Sequence, residues 1–178
     1  MGVLIVCVSL CLLFALNASA SSRCQYGWTR YGRTCFKVFN SPLSWSDAEA
    51  MCLTYGGNLA SVHSTLEYTF IKRMISSSKS YWIGGSDAVS EGKWFWSDGS
   101  QMDFKLWNPK EPNNLQSNEH CIQMNFGAAG NWNDQVCSNK LPFVCFRFSL
   151  ISFPTPIKSE AVCLFNLILL LLQTFLLF

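Results

Sequence analysis

The chain is 178 residues long, 49% hydrophobic and 13% charged, with a formal net charge of +2 at neutral pH. That length fits one domain with accessory segments, and so small a net charge excludes the strong positive field that nucleic-acid binding needs. Two histidines and no Cys-x-x-Cys pair argue against a structural zinc fold, although there are nine cysteines.

The chain opens on MGVLIVCVSLCLLFALNASA, residues 1–20, an apolar run closing on Ala18-Ser19-Ala20. This small-residue pattern reads as a secretory signal peptide, although no basic residues precede the run; a buried N-terminal helix is the other reading. GWTRYGRTCFKVF then alternates aromatic and polar residues around Gly32 and reads as a hairpin. LSWSDAEAMCLTYGGN predicts a helix capped by Ser44, with Asp47 three residues on and Gly56-Gly57 as its stop. Trp45, Ala48 and Cys52 share one face of it. HSTLEYTFIKRMISSS repeats the device, with Ser64 as cap, Glu67 at the box position, Leu66, Phe70 and Ile71 as the expected buried stripe, and Ser76–Ser78 as the end. His63, just before that cap, reads as a turn residue and not a ligand.

Short strands follow: YWIGG, WFWSDG, HCIQMNF, NWNDQVC and PFVCFRF. Two helices and then a strand-rich half make an α+β pattern. The segment from Ser97 to Glu119 has no period, and a loop of that length needs something to hold it. Residues 148–160 read as a linker. AVCLFNLILLLLQTFLLF, residues 161–178, would span about 27 Å as a helix against a hydrocarbon core of about 30 Å. It is a marginal membrane anchor, a lipid-anchor signal with too short a spacer, or an irregular C-terminus.

Leaving aside Cys7, Cys11 and Cys163 in the two apolar ends, six cysteines remain: Cys24, Cys35, Cys52, Cys121, Cys137 and Cys145. An even count behind a secretory signal reads as three disulfides, and spacing alone leaves fifteen pairings open. Charge is uneven: Asp87, Glu91, Asp98, Asp103, Glu111, Glu119 and Asp134 face only three lysines over residues 87–134. A local acidic excess in a near-neutral domain suggests a cation site. Glu111, Asn113, Glu119, Asn133 and Asp134 offer carboxylate and amide oxygens, the ligands of calcium. Acid beside amide also suits a sugar hydroxyl, which both donates and accepts. Catalysis finds little support: Gly-x-Ser-x-Gly is missing, and neither histidine is placed to serve a nucleophile. Glu111 and Glu119 would resemble a glycosidase pair only if they were not metal ligands.

WIGGSD, EPN, EHC, WND and PFVC occur in this order at spacings similar to the C-type lectin-like domain. CQYGWTRYGRTCFKVF and GGNLASVHS resemble its longer, six-cysteine form, in small single-domain secreted lectins. The resemblance covers residues 24–147. It implies two helices packed on short antiparallel sheets, a long calcium-binding loop, and the disulfides Cys24–Cys35, Cys52–Cys145 and Cys121–Cys137. It also implies that Glu111, Asn113, Glu119, Asn133 and Asp134 bind Ca2+ and sugar together, that the bond before Pro112 is cis, and that the protein is not an enzyme. Glu-Pro-Asn is linked in the family with mannose, N-acetylglucosamine and fucose, so glycans of microbial or cell surfaces are the expected partners, in innate defence or as a venom or mucus lectin. A homo-oligomer would supply the avidity that one weak site lacks. A second family calcium site would use Asp87, Glu91, Asn114 and His120; the histidine replaces the usual aspartate and reads as a solvated loop residue. Trp82, Trp94, Trp96 and Trp107 match core or loop-packing positions, while Trp132 props the site or borders the sugar. The expected location is extracellular, or membrane-anchored if the tail is kept. Ice binding or protein binding on the same scaffold is the alternative function.

Overall fold

The computed structural model describes residues 21–152. The expected signal peptide, the 161–178 tail and the linker beyond residue 152 lie outside the described residues. Residues Cys24–Ser149 form one compact unit. In the other unit, β1 (Ser21–Arg23) pairs antiparallel with β10 (Leu150–Ser152).

Within the compact unit, β2 (Thr29–Tyr31) and β3 (Thr34–Leu43) make the expected hairpin, and Cys24–Cys35 staples its base. Gly32 turns it with φ of +58°, a left-handed conformation that a side chain disfavours. Helix α1 (Trp45–Thr54) starts where Ser44 accepts the Asp47 N–H, and α2 (Thr65–Lys72) starts where Ser64 accepts the Glu67 N–H. Both caps satisfy a backbone donor that the first helical turn leaves free.

The buried side of α2 differs from the expected stripe. Leu66 is 73% exposed, whereas Tyr68 and Ile71 are buried. Phe70 is half-buried against Tyr31 and Phe36. The Tyr68 hydroxyl donates to the carbonyl of Gly130, a long-range partner that fixes which face turns inward. Burial pushes that phenol up to about 12. The helix also stops sooner than expected, at Lys72 with Arg73 as cap, and not at Ser76–Ser78.

The remaining strands are β4 (Asn58–Leu59), β5 (Tyr81–Ser86), β6 (Phe95–Trp96), β7 (Cys121–Phe126), β8 (Asn131–Gln135) and β9 (Leu141–Phe148). They join one sheet in the order β2-β3-β9-β5-β7-β8, with β4 on β9 and β6 on β5. The expected antiparallel sheets are thus a single mixed sheet, because β5 meets β9 in parallel at Trp82 and Phe143. Gly84 permits the crowding there: a Cβ on it would lie 2.6 Å from the Leu59 carbonyl.

Glu49 on α1 ties the sheet to the helix. Its carboxylate accepts from Asn58 Nδ2 at 2.6 Å, Leu59 N–H at 2.7 Å and Ser97 Oγ at 3.0 Å. Cys52–Cys145 joins α1 to β9. Trp82, Trp94, Trp96 and Trp132 are buried, and Trp107 packs against the cluster that holds Trp94, Trp96 and Trp132, as scaffold residues should. Phe148, taken above as the start of the linker, is still part of β9.

Candidate calcium and carbohydrate site

Between β6 and β7 the chain runs without a strand, and the core itself anchors the first leg of this loop. Trp107 bridges to Trp132 in parallel, with Asn108 N–H donating to the Trp132 carbonyl and Trp132 N–H to that of Leu106, both at 2.8 Å. Trp132 has no exposed surface, so it props the loop and does not border a sugar.

The loop then turns sharply. Lys110 has φ of 75°, and the Glu111–Pro112 bond is cis, as the resemblance implies. Asn114, Gln116 and Ser117 also take left-handed backbone, which costs a non-glycine residue about 1–3 kcal/mol each. Such a segment persists only when other contacts hold it, and Asp134 supplies two of them. Its carboxylate accepts Asn113 N–H at 3.1 Å on one oxygen and Asn114 N–H at 2.6 Å on the other. Glu119 closes the return leg: Oε2 accepts Leu115 N–H at 3.1 Å, and its own N–H donates to Asn114 Oδ1 at 3.0 Å. Cys121–Cys137 bonds the start of β7 to the chain just past β8, where Asn133 and Asp134 sit opposite Gln123 and Ile122.

All five expected ligands therefore belong to two segments clamped together. Asp134, Asn133 and Glu119 are buried, Glu111 is half-buried and Asn113 is exposed. Asn133 Nδ2 donates to the Asp134 backbone carbonyl, so two groups expected at the metal are each other's partners here. Burial, with Asp134 and then Glu119 as like-charged neighbours, raises the Glu111 carboxyl above its ordinary value. Burial also raises Glu119, and Asp134 adds to this. Among the described residues no lysine or arginine pairs with any of the three acids. Glu111 Oε2 is buried without a hydrogen-bond partner. A buried carboxylate oxygen without a partner, beside two further acids that raise its carboxyl, fits a hard divalent cation, and Asn113 and Asn133 carry amide oxygens of the kind such an ion takes.

The second predicted group also assembles. His120 Nδ1 lies 3.1 Å from Asp87 Oδ1 and 3.5 Å from Glu91 Oε2, and Asn114 Nδ2 donates to Glu91 Oε2 at 2.6 Å. The reading of His120 as a solvated loop residue is thereby corrected: the ring is two-thirds or more covered and faces two acids brought by the β5–β6 connection. Asn114 has a larger part than expected, because it touches both groups. The sequence hinted at this by placing Asn114, a member of the second group, directly after Asn113, a member of the first. His63 lies just before the Ser64 cap, outside any turn, and its Nδ1 is bonded to Asp103 at 2.8 Å.

Residues 41–147 match the family model described as the Lectin C-type domain. The chain belongs to the C-type lectin family. Its lectin domain is 43% identical over 132 residues to the galactose-specific lectin nattectin of Thalassophryne nattereri, covering 72% of this chain and 82% of that protein. Among solved structures, a calcium-independent type II antifreeze protein superposes with a TM-score of 0.69 at 33% identity, covering 74% of this chain and 99% of that one. The carbohydrate-recognition domain of cow CD23, solved in the presence of a GlcNAc2Man3 oligosaccharide, superposes at 0.68 with 30% identity, covering 73% and 99%. C-type lectin domains are binding modules and not catalysts, which disposes of the glycosidase reading of Glu111 and Glu119 at the level of the family. No helix among the described residues is long and apolar enough to cross a membrane.

Proposed function

We propose that this protein is a secreted lectin that binds glycans through calcium at Glu111, Asn113, Glu119, Asn133 and Asp134, with preference for mannose, N-acetylglucosamine or fucose. The observation that carries the reading is the buried Glu111 oxygen without a partner, in a loop that Asp134 pins through the Asn113 and Asn114 N–H groups. Calcium, when bound, offers open coordination to two adjacent sugar hydroxyls. The residues around it decide which sugar fits. Glu111 and Glu119 accept from the hydroxyls, and the amides of Asn113 and Asn133 donate to them. Asp134 keeps the loop in register by holding Asn113 and Asn114. The buried Trp107–Trp132 contact provides the rigid floor that such positioning requires.

Glu111-Pro112-Asn113 supports the mannose-type choice. The name of nattectin, a galactose-specific lectin, makes galactose the competing ligand. One sugar site of this kind binds weakly, and tight capture of a microbial or cell surface follows from several copies, as in a homo-oligomer. A glycan array developed in calcium and again in EDTA tests the proposal. Calcium-dependent signal on mannose-type glycans supports it, and signal unchanged by EDTA overturns it.

The likeness to a type II antifreeze protein favours one other reading, ice binding by the same scaffold. Thermal hysteresis of the purified protein would establish that activity, and its lack together with glycan binding would exclude it.

A further inference from the structure

The group formed by Asp87, Glu91 and His120 is not suited to the second calcium of the family. Calcium takes six to eight oxygens. Here a nitrogen stands at one position, and Asn114 presents Nδ2 to Glu91 while its Oδ1 is occupied by the Glu119 N–H. Among the described residues, the carboxylates of Asp87 and Glu91 are the acids that face the ring.

We propose instead that Asp87, Glu91 and His120 form a site for a borderline divalent cation such as Zn2+. Their ligand atoms lie within 4.8 Å of one another. Zinc binds imidazole nitrogen and carboxylate oxygen at about 2.0–2.2 Å, which puts neighbouring ligands of a tetrahedral ion about 3.4 Å apart. His120 Nδ1 stands 3.1 Å from Asp87 Oδ1 and 3.5 Å from Glu91 Oε2, close to that edge length. Imidazole also suits zinc, copper and nickel, whereas calcium prefers oxygen alone. Three protein ligands and one water complete the coordination.

The supports of these ligands are already built. Asp87 is 1% exposed, and its second oxygen accepts Gly92 N–H at 2.8 Å. The His120 carbonyl accepts Ser86 Oγ at 2.8 Å and Asp87 N–H at 3.1 Å, so the segment bearing the imidazole is fixed to the strand end bearing the acid. Partners of this kind orient metal ligands and raise affinity. Glu91 is the exposed third ligand, its Oε2 held by Asn114 Nδ2 at 2.6 Å. Asn114 then links the zinc site to the loop of the sugar site through Glu91 on one side and Asp134 on the other.

Titration calorimetry of ZnCl2 into the protein in saturating calcium tests this independently of sugar binding. The result expected is one Zn2+ per chain. His120→Ala should weaken it by more than the roughly 10–100-fold that loss of an outer partner costs, while His63→Ala, at the other histidine, leaves it unchanged. His120→Asp should replace zinc by a second calcium. Circular dichroism identical to the parent shows that each variant is folded. Zinc binding that survives His120→Ala, no zinc binding at all, or a second calcium in the parent protein would overturn the proposal. Zinc bound at His120 in a protein that holds no calcium would leave it standing and remove the lectin reading instead.

Discussion

Asp134 holds Asn114 across 20 residues of sequence, its Oδ2 accepting the Asn114 backbone N–H at 2.6 Å. Asn113 N–H lies on the other oxygen, so one carboxylate both shapes the loop and is itself one of the expected metal ligands. Asp134→Asn puts an amide N–H against one of these donors and removes a charge. A hydrogen bond to a charged group contributes about 1.5–3 kcal/mol, so calcium affinity should fall by roughly 10- to 150-fold or more. Calorimetric titration with calcium measures this, and an unchanged affinity would remove Asp134 from the ligand set.

Exchanging acid and amide exchanges donor and acceptor at the sugar hydroxyls. The double variant Glu111→Gln, Asn113→Asp should bind calcium and prefer galactose to mannose in competition for a labelled glycan. Unaltered preference with calcium still bound would count against these two residues as the sugar contacts.

The raised carboxyls of Glu111 and Glu119 give the calcium-free protein a defined pH dependence. A folded-state value above the unfolded one means that the fold favours the protonated acid. Stability is therefore lost as pH rises through about 4.3, the unfolded value of glutamate, and the loss is complete above the raised values. Calcium, which binds the ionised form, reverses it. Thermal unfolding in EDTA between pH 4 and 7 should show the decline from these groups, and Glu111→Gln should reduce it.

Glu49 tests the scaffold apart from the site. Glu49→Ala leaves the buried Leu59 N–H without its acceptor and frees Asn58 and Ser97. The cost should be about 1–3 kcal/mol in urea denaturation. Calcium affinity should stay near that of the parent, because Glu49 touches none of the five ligands.

Local chemistry explains what the sequence made legible. Ser44 and Ser64 cap their helices through a residue three positions on, and Gly32 turns a hairpin whose strands flank it. The disulfides and the cis bond before Pro112 followed from several motifs in register, none of which would have sufficed singly. What stayed hidden depends on distant partners. Leu66 and Tyr68 are both plausible core residues by spacing, and the choice rests on Gly130, 62 residues from Tyr68. The resemblance grouped Asp87 with His120, but the cover on the ring comes from the pairing of β5 with β7, which local sequence around His120 does not show. The parallel meeting of Trp82 with Phe143 likewise has no local signature.

Retention on mannose-agarose tests the central claim most directly. In calcium the protein should bind the column, and EDTA should elute it as the ligands Glu111, Asn113, Glu119, Asn133 and Asp134 lose their ion. Retention that persists in EDTA, or failure to bind any glycan matrix in calcium, would contradict it.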